Sequence, residues 1–354
     1  MNTKIFIGEH KGKKVFLDLS KNMNGHMLIT GATGTGKTNF LKFYLNQLKT
    51  QTIILDYSGS YKNFDGAIVQ NIVETSELLN FFEDYSDETM GILADAIQGA
   101  FRFGSAQRAT IVKALEVIQQ GISREEIESD AVNEKNFFYK HLEYDGPNVK
   151  KTWALLALVL STKYGSKGET IAARMVELVA HLAGKKVTND TEGDGLKIVK
   201  FSVKQSGLNA EMVELYLWKL WLRQVDATET VTLVLDECQD LNWKKGSISE
   251  KLMGEGRKFG INIILSTQFL MANFPKRVIA SFEQSGTRII FRPTELEIVD
   301  FAKSLDVSNW KVYAKKLRNL RVGSCIVSGQ VCLNERCSRQ KIEVAVPEYK
   351  EVGN

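Results

Sequence analysis

A glycine-rich turn at residues 27–41, set between an apolar run and a stretch with helical spacing, limits the folds open to this chain more than any other feature. Gly31, Gly36, Lys37 and Thr38 satisfy the phosphate-loop pattern G-x-x-x-x-G-K-[ST]. Such a loop needs a strand before it and a helix after it. Its glycines let backbone N–H groups close around phosphate oxygens, and the helix N-terminus adds a favourable dipole. The pattern makes Gly31, Ala32, Thr33, Gly34, Thr35, Gly36, Lys37, Thr38 and Asn39 the expected nucleotide-contacting segment. Lys37 is expected to reach the β- and γ-phosphates of ATP, and Thr38 to offer its hydroxyl to Mg²⁺.

The surrounding pattern supplies that context. Phe40, Leu41, Tyr44, Leu45 and Leu48 fall at helical spacing, and residues 52–56 read as a buried strand ending in Asp56. Strand, loop, helix and strand predict a βαβ unit. Ahead of them, residues 4–8 and 14–18 read as a hairpin. Short apolar runs alternating with helices return at residues 197–202, 209–223, 232–237, 249–259 and 261–266, as in a parallel sheet covered on both faces. Strand 288–291, two helices within 294–318 and β-like segments at 324–328 and 341–346 complete the sheet edge, with disorder expected after Pro347.

Between them the texture is helical, at residues 76–82, 107–120, 149–160 and 169–183. The reading is an α/β core with a mainly parallel sheet, made of residues 1–70 and 191–354 and interrupted by a helical insertion over 71–190.

Two further elements bear on chemistry. Residues 233–235 are an apolar strand that delivers Asp236 and Glu237 to the edge where open parallel sheets bind ligands. Asp236 is expected to hold Mg²⁺ and Glu237 to polarise the attacking water. The strand ending Ser266-Thr267-Gln268 carries an amide to the same edge. Arg257, at a helix end one strand earlier, fits either a cation on the helix C-terminus or a finger reaching a neighbouring subunit's nucleotide.

Composition excludes some classes. The 354 residues are 44% hydrophobic and 25% charged with only 4 prolines, so the chain is globular rather than disordered. No apolar run approaches the length of a membrane span and no signal pattern opens the chain, which leads to a cytoplasmic reading without membrane insertion. A net charge of +4 permits a nucleic-acid partner without requiring one. Cys238, Cys325, Cys332 and Cys337 lack zinc-ligand spacing and read as free thiols in a reducing compartment. His26 has no visible partner and reads as structural, and the tryptophans read as packing residues.

Together, residues 31–38, Asp56 with Tyr61, residues 235–237, residues 255–260, residues 266–268 and residues 287–289 resemble the HerA/FtsK superfamily of DNA-pumping ATPases, above all its HerA-type and conjugative coupling-type motors. The resemblance implies a RecA-like core, a hexameric ring around double-stranded DNA and ATP sites between subunits. It implies Glu237 as catalytic acid, Gln268 as sensor and Arg257 as trans finger, with Arg288 and Arg292 as competing fingers. A separate nuclease or effector partner is a further implication, and a ring that gates such an effector or a motor for protein substrates is the alternative. The chain ahead of residue 27 is too short for the N-terminal β-barrel of typical HerA proteins. Loops 242–246 and 274–277, basic with an aromatic each, are candidate DNA contacts, with ordinary solvated loops as the alternative.

Overall fold

The apolar runs Thr52–Asp56, Val231–Leu235 and Ile261–Thr267 have almost no polar side to turn to water, and each forms a strand buried nearly throughout. The computed structural model describes residues 4–19, 24–57, 59–61, 64, 66–83, 86–128, 136–188, 195–201, 208–333 and 336–350. The chain divides into two compact units, one of Met1–Val69, Glu192–Lys200 and Gln224–Asn354, the other of Gln70–Thr191 and Phe201–Arg223.

The first unit opens with a hairpin of β1 (Lys4–His10) and β2 (Lys13–Asp18), turned at Lys11 and Gly12 with φ of 48° and 75°. It continues through β3 (Met27–Thr30), α1 (Lys37–Leu45), β4 (Thr52–Asp56) and β5 (Ile68–Asn71), where the chain leaves it. The second unit holds α2 (Ser76–Leu79), α3 (Asp87–Phe101), α4 (Ser105–Gln120), α5 (Arg124–Glu128), a short hairpin of β6 (Tyr144–Asp145) and β7 (Asn148–Val149), α6 (Trp153–Lys163), α7 (Gly165–Ala173) and α8 (Val176–Leu182). After β8 (Leu196–Lys200) in the first unit, α9 (Asn209–Val225) groups with the second as far as Arg223. The first unit then closes with β9 (Val231–Leu235), α10 (Ile248–Glu255), β10 (Ile261–Thr267), α11 (Lys276–Glu283), β11 (Thr287–Phe291), α12 (Ile298–Leu305), α13 (Trp310–Arg318), β12 (Ser324–Leu333) and β13 (Arg336–Ala345).

The strands order as β13-β1-β2-β12-β11-β3-β10-β9-β4-β8-β5, and β11 through β8 in this list run parallel. The expected βαβ unit is present, with β3 and β4 parallel and joined through α1, and β10 and β9 lie between them. Strands apolar on both faces accept either neighbour, so sequence adjacency alone does not decide pairing. The consequence is that β10 ends between the phosphate loop and the Asp236-Glu237 turn. On one face, Phe40, Leu41, Tyr44 and Leu45 of α1 pack into a core with Ile29, Ile54, Ile289 and Phe291. Each such side chain contributes about 1.5–3 kcal/mol.

The N-terminal hairpin is completed from the other end of the chain. β12 pairs β2, β13 pairs β1, and the two form a hairpin with each other, so four antiparallel strands close on themselves. That register sets Cys332 opposite Cys337, and they form a disulfide, correcting the expectation of free thiols for this pair. Cys238 and Cys325 are free and buried. The expectation of disorder after Pro347 is also corrected for residues 347–350. The Asn39 amide donates to the Pro347 carbonyl at 2.9 Å and accepts from the Tyr349 N–H at 2.7 Å, while Tyr349 stacks on Phe64 at 5.7 Å. The last four residues lie outside those described.

In the second unit, α3 is a helix that the periodicity reading did not single out, although Met90, Leu93, Ala94, Ile97 and Phe101 form its buried face. At Gly99 a side chain would approach Glu214 Oε1 at 3.3 Å, so the glycine lets the helix lie close to α9. Arg108 bridges α3 and α4 through Asp95 at 2.5 Å and the Gly91 carbonyl at 3.2 Å. Trp153 donates to the Leu78 carbonyl at 3.1 Å and packs on Phe81 and Phe82. Among the described residues no helix is long and apolar enough to cross a membrane.

His26 is structural, as read. Its Nδ1 accepts the Ile263 N–H at 3.1 Å, and its carbonyl accepts from Thr287, so it ties the entry of β3 to β10 and β11. Burial lowers its pKa to about 4, with Arg257 adding to the effect. The neutral ring is thus the folded form, and below pH 6.5 the unfolded chain binds a proton that the folded one refuses. Its stability contribution is full above about pH 6.5 and falls by about 1.4 kcal/mol per pH unit as pH drops toward 4. In urea unfolding at about pH 7.5 and about pH 5, the wild type should lose about 2 kcal/mol more than His26→Gln; equal losses would refute the assignment.

Candidate active site

Residues 31–36 must turn the chain from β3 into α1 with no side chain in the way. Gly31 and Gly36 have φ of 149° and 115°. A Cβ on Gly31 would lie 2.6 Å from Phe291 Cβ, and one on Gly36 would lie 3.2 Å from the Gly323 backbone. The loop is fixed from outside by the Ala32 N–H donating to the Arg292 carbonyl at 2.9 Å and the Gly323 N–H donating to the Thr35 carbonyl at 3.0 Å. Inside it the Thr35 hydroxyl donates to the Ala32 carbonyl at 2.6 Å. No side chain caps the N-terminus of α1, so its first N–H groups are left for an anion.

Lys37 is buried, its amine donating to the Gly31 and Ala32 carbonyls at 2.7 and 3.2 Å. Burial lowers its pKa, while Glu237 and Asp236 oppose the shift. A buried amine bound only to carbonyls of its own loop suits an incoming polyphosphate, which would supply the charge it lacks.

Asp236 follows β9 and is 5% exposed. The Tyr61 hydroxyl donates to its Oδ2 at 2.9 Å, and its Oδ1 accepts the Glu237 N–H at 3.1 Å. Burial raises its pKa, and the Tyr61 bond counters this. Tyr61 is itself positioned by Asp56, whose carboxylate accepts the N–H groups of Ser60 and Tyr61 at 3.1 and 3.2 Å. Asp56 therefore acts on the site through the loop after β4.

Glu237 adopts φ 52°, ψ 45°, a left-handed conformation that costs a non-glycine residue about 1 kcal/mol or more. Four side chains surround that strained point. Gln268 donates to Glu237 Oε1 at 2.9 Å and accepts from the Thr33 hydroxyl at 2.5 Å. Gln239 donates to Glu237 Oε2 at 2.6 Å and accepts from the Thr267 hydroxyl at 2.9 Å. A continuous chain of hydrogen bonds thus runs from the phosphate loop through Gln268 and Glu237 to the end of β10. Sequence reading missed Gln239; its only signal was its position two residues after Glu237.

The other expected residues divide. Arg257 is exposed and, with Gly25, Met27, Thr232 and Asn262, lines a cavity of about 230 Å³ where β3, β9 and β10 begin. The length of β10, at about 3.3 Å per residue, separates it from the site on its own chain. Arg288 is held by Ser304 at 3.3–3.4 Å and does not face the loop. Arg292 is exposed at the end of β11, its carbonyl bonded to the loop. Asn39 spends its side chain on the C-terminal segment rather than on the loop.

In loops 242–246 and 274–277 the aromatics and the basic residues part company. Trp243, Phe274 and Phe282 form one buried aromatic cluster with centroids 5.0–5.6 Å apart, and Trp243 Nε1 donates to the Cys238 carbonyl at 2.7 Å. Arg277 joins both loops through Glu250 at 2.5 Å and the Trp243 carbonyl at 2.7 Å. The aromatics serve packing, because their apolar area is worth more buried than exposed. Lys244, Lys245 and Lys276 are left exposed.

Residues 5–161 match the family model described as Helicase HerA, central domain. That match supports the resemblance to the HerA/FtsK superfamily. No curated protein matches the chain by sequence. Among solved structures, VirB4 of Thermoanaerobacter pseudethanolicus is similar at 14% identity and TM-score 0.67, covering 99% of this chain and 97% of that one. The bacterial conjugative coupling protein TrwB, lacking its first 70 residues, is similar at 13% identity and TM-score 0.63, covering 97% and 90%. A TrwB structure with ADP and Mg²⁺ is similar at 14% identity and TM-score 0.59, covering 93% and 86%. At these identities the likeness concerns the fold: the chain has the RecA-like P-loop architecture expected of it.

Proposed function

We propose that this chain is a Mg²⁺-dependent ATPase of the HerA/FtsK type that assembles as a ring, most simply a hexamer, and couples hydrolysis to movement along double-stranded DNA. The observation that carries the hydrolytic part is the hydrogen-bonded chain Thr33–Gln268–Glu237–Gln239, which ties the phosphate loop to an acid in strained backbone. Gly31–Thr38 would cradle the phosphates, with Lys37 exchanging loop carbonyls for phosphate oxygens. Thr38 and Asp236 would hold Mg²⁺, which would supply positive charge to offset that of the phosphates.

Glu237 takes the proton of a water in line with the γ-phosphate, once one of its oxygens is released from an amide. Gln268 sits where that release can be governed, since its other end is bonded to Thr33 of the loop. The TrwB complex with ADP and Mg²⁺ supports the same ligands here through the shared fold.

Arg257, remote from its own site, supports a site shared between subunits. Apolar surface beside the loop points the same way: Val322, next to Gly323, is 70% exposed and Leu296, ahead of α12, is 90% exposed. Such side chains suit a face covered by a second copy.

Lys37→Ala should lower ATP turnover at least about 100-fold, by loss of charge stabilisation on the phosphates, with an unchanged circular-dichroism spectrum. Undiminished turnover in purified variant would sink the reading. Reversing Lys244, Lys245 and Lys276 to Glu together should weaken DNA binding about 10-fold or more at low salt and flatten its salt dependence. An unchanged salt slope would move the DNA contact elsewhere. ATPase rates with and without DNA, at stated salt, separate a translocase from a ring that responds only to a partner protein.

A further inference from the structure

The closed four-stranded part of the sheet brings together residues that the nucleotide site does not use. Asp18 ends β2, β12 pairs alongside with Cys332 opposite Phe16, and Cys337 faces Cys332 across the β12–β13 hairpin. One ligand atom from each of Asp18, Cys332 and Cys337 lies within 4.8 Å of the other two. Asp18 is 3% exposed and Cys332 1% exposed, while Cys337 is half-buried, so the group lies at the edge of the interior, partly open to solvent at Cys337.

We propose that Asp18, Cys332 and Cys337 form a site for a zinc-class divalent cation when the cysteines are reduced, and that the disulfide is the metal-free, oxidised form of that site. Tetrahedral zinc holds thiolate sulfur at about 2.3 Å and carboxylate oxygen at about 2.0–2.2 Å, which places the ligand atoms about 3.4–3.8 Å apart. The observed grouping reaches that arrangement by side-chain rotation, because all three residues stand on paired strands of one sheet. Two thiolates with one carboxylate favour zinc over Mg²⁺ or Ca²⁺, which prefer all-oxygen shells. A water would complete the fourth position.

The chemistry balances with a cellular thiol as reductant. Two electrons and two protons from two thiols, or from one dithiol, convert the Cys332–Cys337 disulfide into two thiols, and the reductant leaves as its own disulfide. Metal binding then releases both thiol protons to solvent and leaves two thiolates and the Asp18 carboxylate around the cation. Oxidation reverses the sequence and expels the metal.

The test uses the full chain, reduced, freed of metal with a chelator, and titrated with Co²⁺ as a spectroscopic stand-in for zinc. One equivalent should produce thiolate-to-cobalt charge transfer in the ultraviolet and the visible bands of tetrahedral cobalt, both removed by adding Zn²⁺. Protein oxidised to the disulfide should produce neither. Asp18→Asn should weaken Co²⁺ binding about tenfold or more, and Cys332→Ser should abolish the charge-transfer band. Absence of the band in reduced wild type overturns the proposal without recourse to any variant, and so does a band that survives in Cys332→Ser. None of these readings depends on ATP turnover, so the site stands or falls separately from the proposed motor.

Discussion

Glu237→Gln is expected to lower ATP turnover by about 10³-fold while the protein stays folded and still binds nucleotide. Both oxygens of Glu237 accept from amides, one of Gln268 and one of Gln239. The substituted amide presents one donor where two acceptors stood, which would oppose it to one of those NH₂ groups. The surroundings can absorb the change: Gln268 can turn its amide over because its other partner is the Thr33 hydroxyl, which either donates or accepts. The variant therefore keeps the site's packing and loses only the capacity to take a proton. Steady-state turnover together with fluorescent-nucleotide affinity checks both halves. Turnover within a few-fold of wild type would remove Glu237 from the chemistry, and loss of nucleotide affinity would mean that the network, not the proton, had been disturbed.

Arg257→Ala should cost about 10³-fold or more in turnover, the usual scale of a finger that stabilises transferred charge. The effect should be one that its own subunit cannot correct. Arg257 lies at the start of β10, and Glu237 and Gln268 lie where β9 and β10 end. Mixed with Glu237→Gln subunits, Arg257→Ala subunits gain intact sites wherever an Arg257 from the other variant faces their Glu237, so the mixture should turn over ATP well above the sum of its components. Activity equal to that sum would place Arg257 outside the shared site. Arg292, exposed beside the loop, is then the residue to test next.

The sequence by itself determined the parts whose chemistry is local. Residues 31–38 state their own geometry, because glycines, a lysine and a helix start suffice to make a phosphate cradle. The apolar strand ending in Asp236-Glu237 does nearly as well, and the alternation of apolar runs and helices identified the mainly parallel sheet. His26 was legible as structural from its place at a strand entry.

What only the tertiary structure decided depends on which strands become neighbours. Strands apolar on both faces do not record their partners, so the insertion of β10 and β9 between β3 and β4 was invisible, and with it the placing of Gln268 between Thr33 and Glu237. The same holds for Tyr61 on Asp236, and for the meeting of β1 and β2 with β12 and β13 across almost the full length of the chain. The loop aromatics illustrate the converse limit. Composition left the aromatics of these loops open between DNA contact and packing, and two loops that converge on Phe282 bury more apolar area in each other than either would keep against solvent. Residue type and spacing fix what a segment can do, and long-range pairing fixes what it is left free to do.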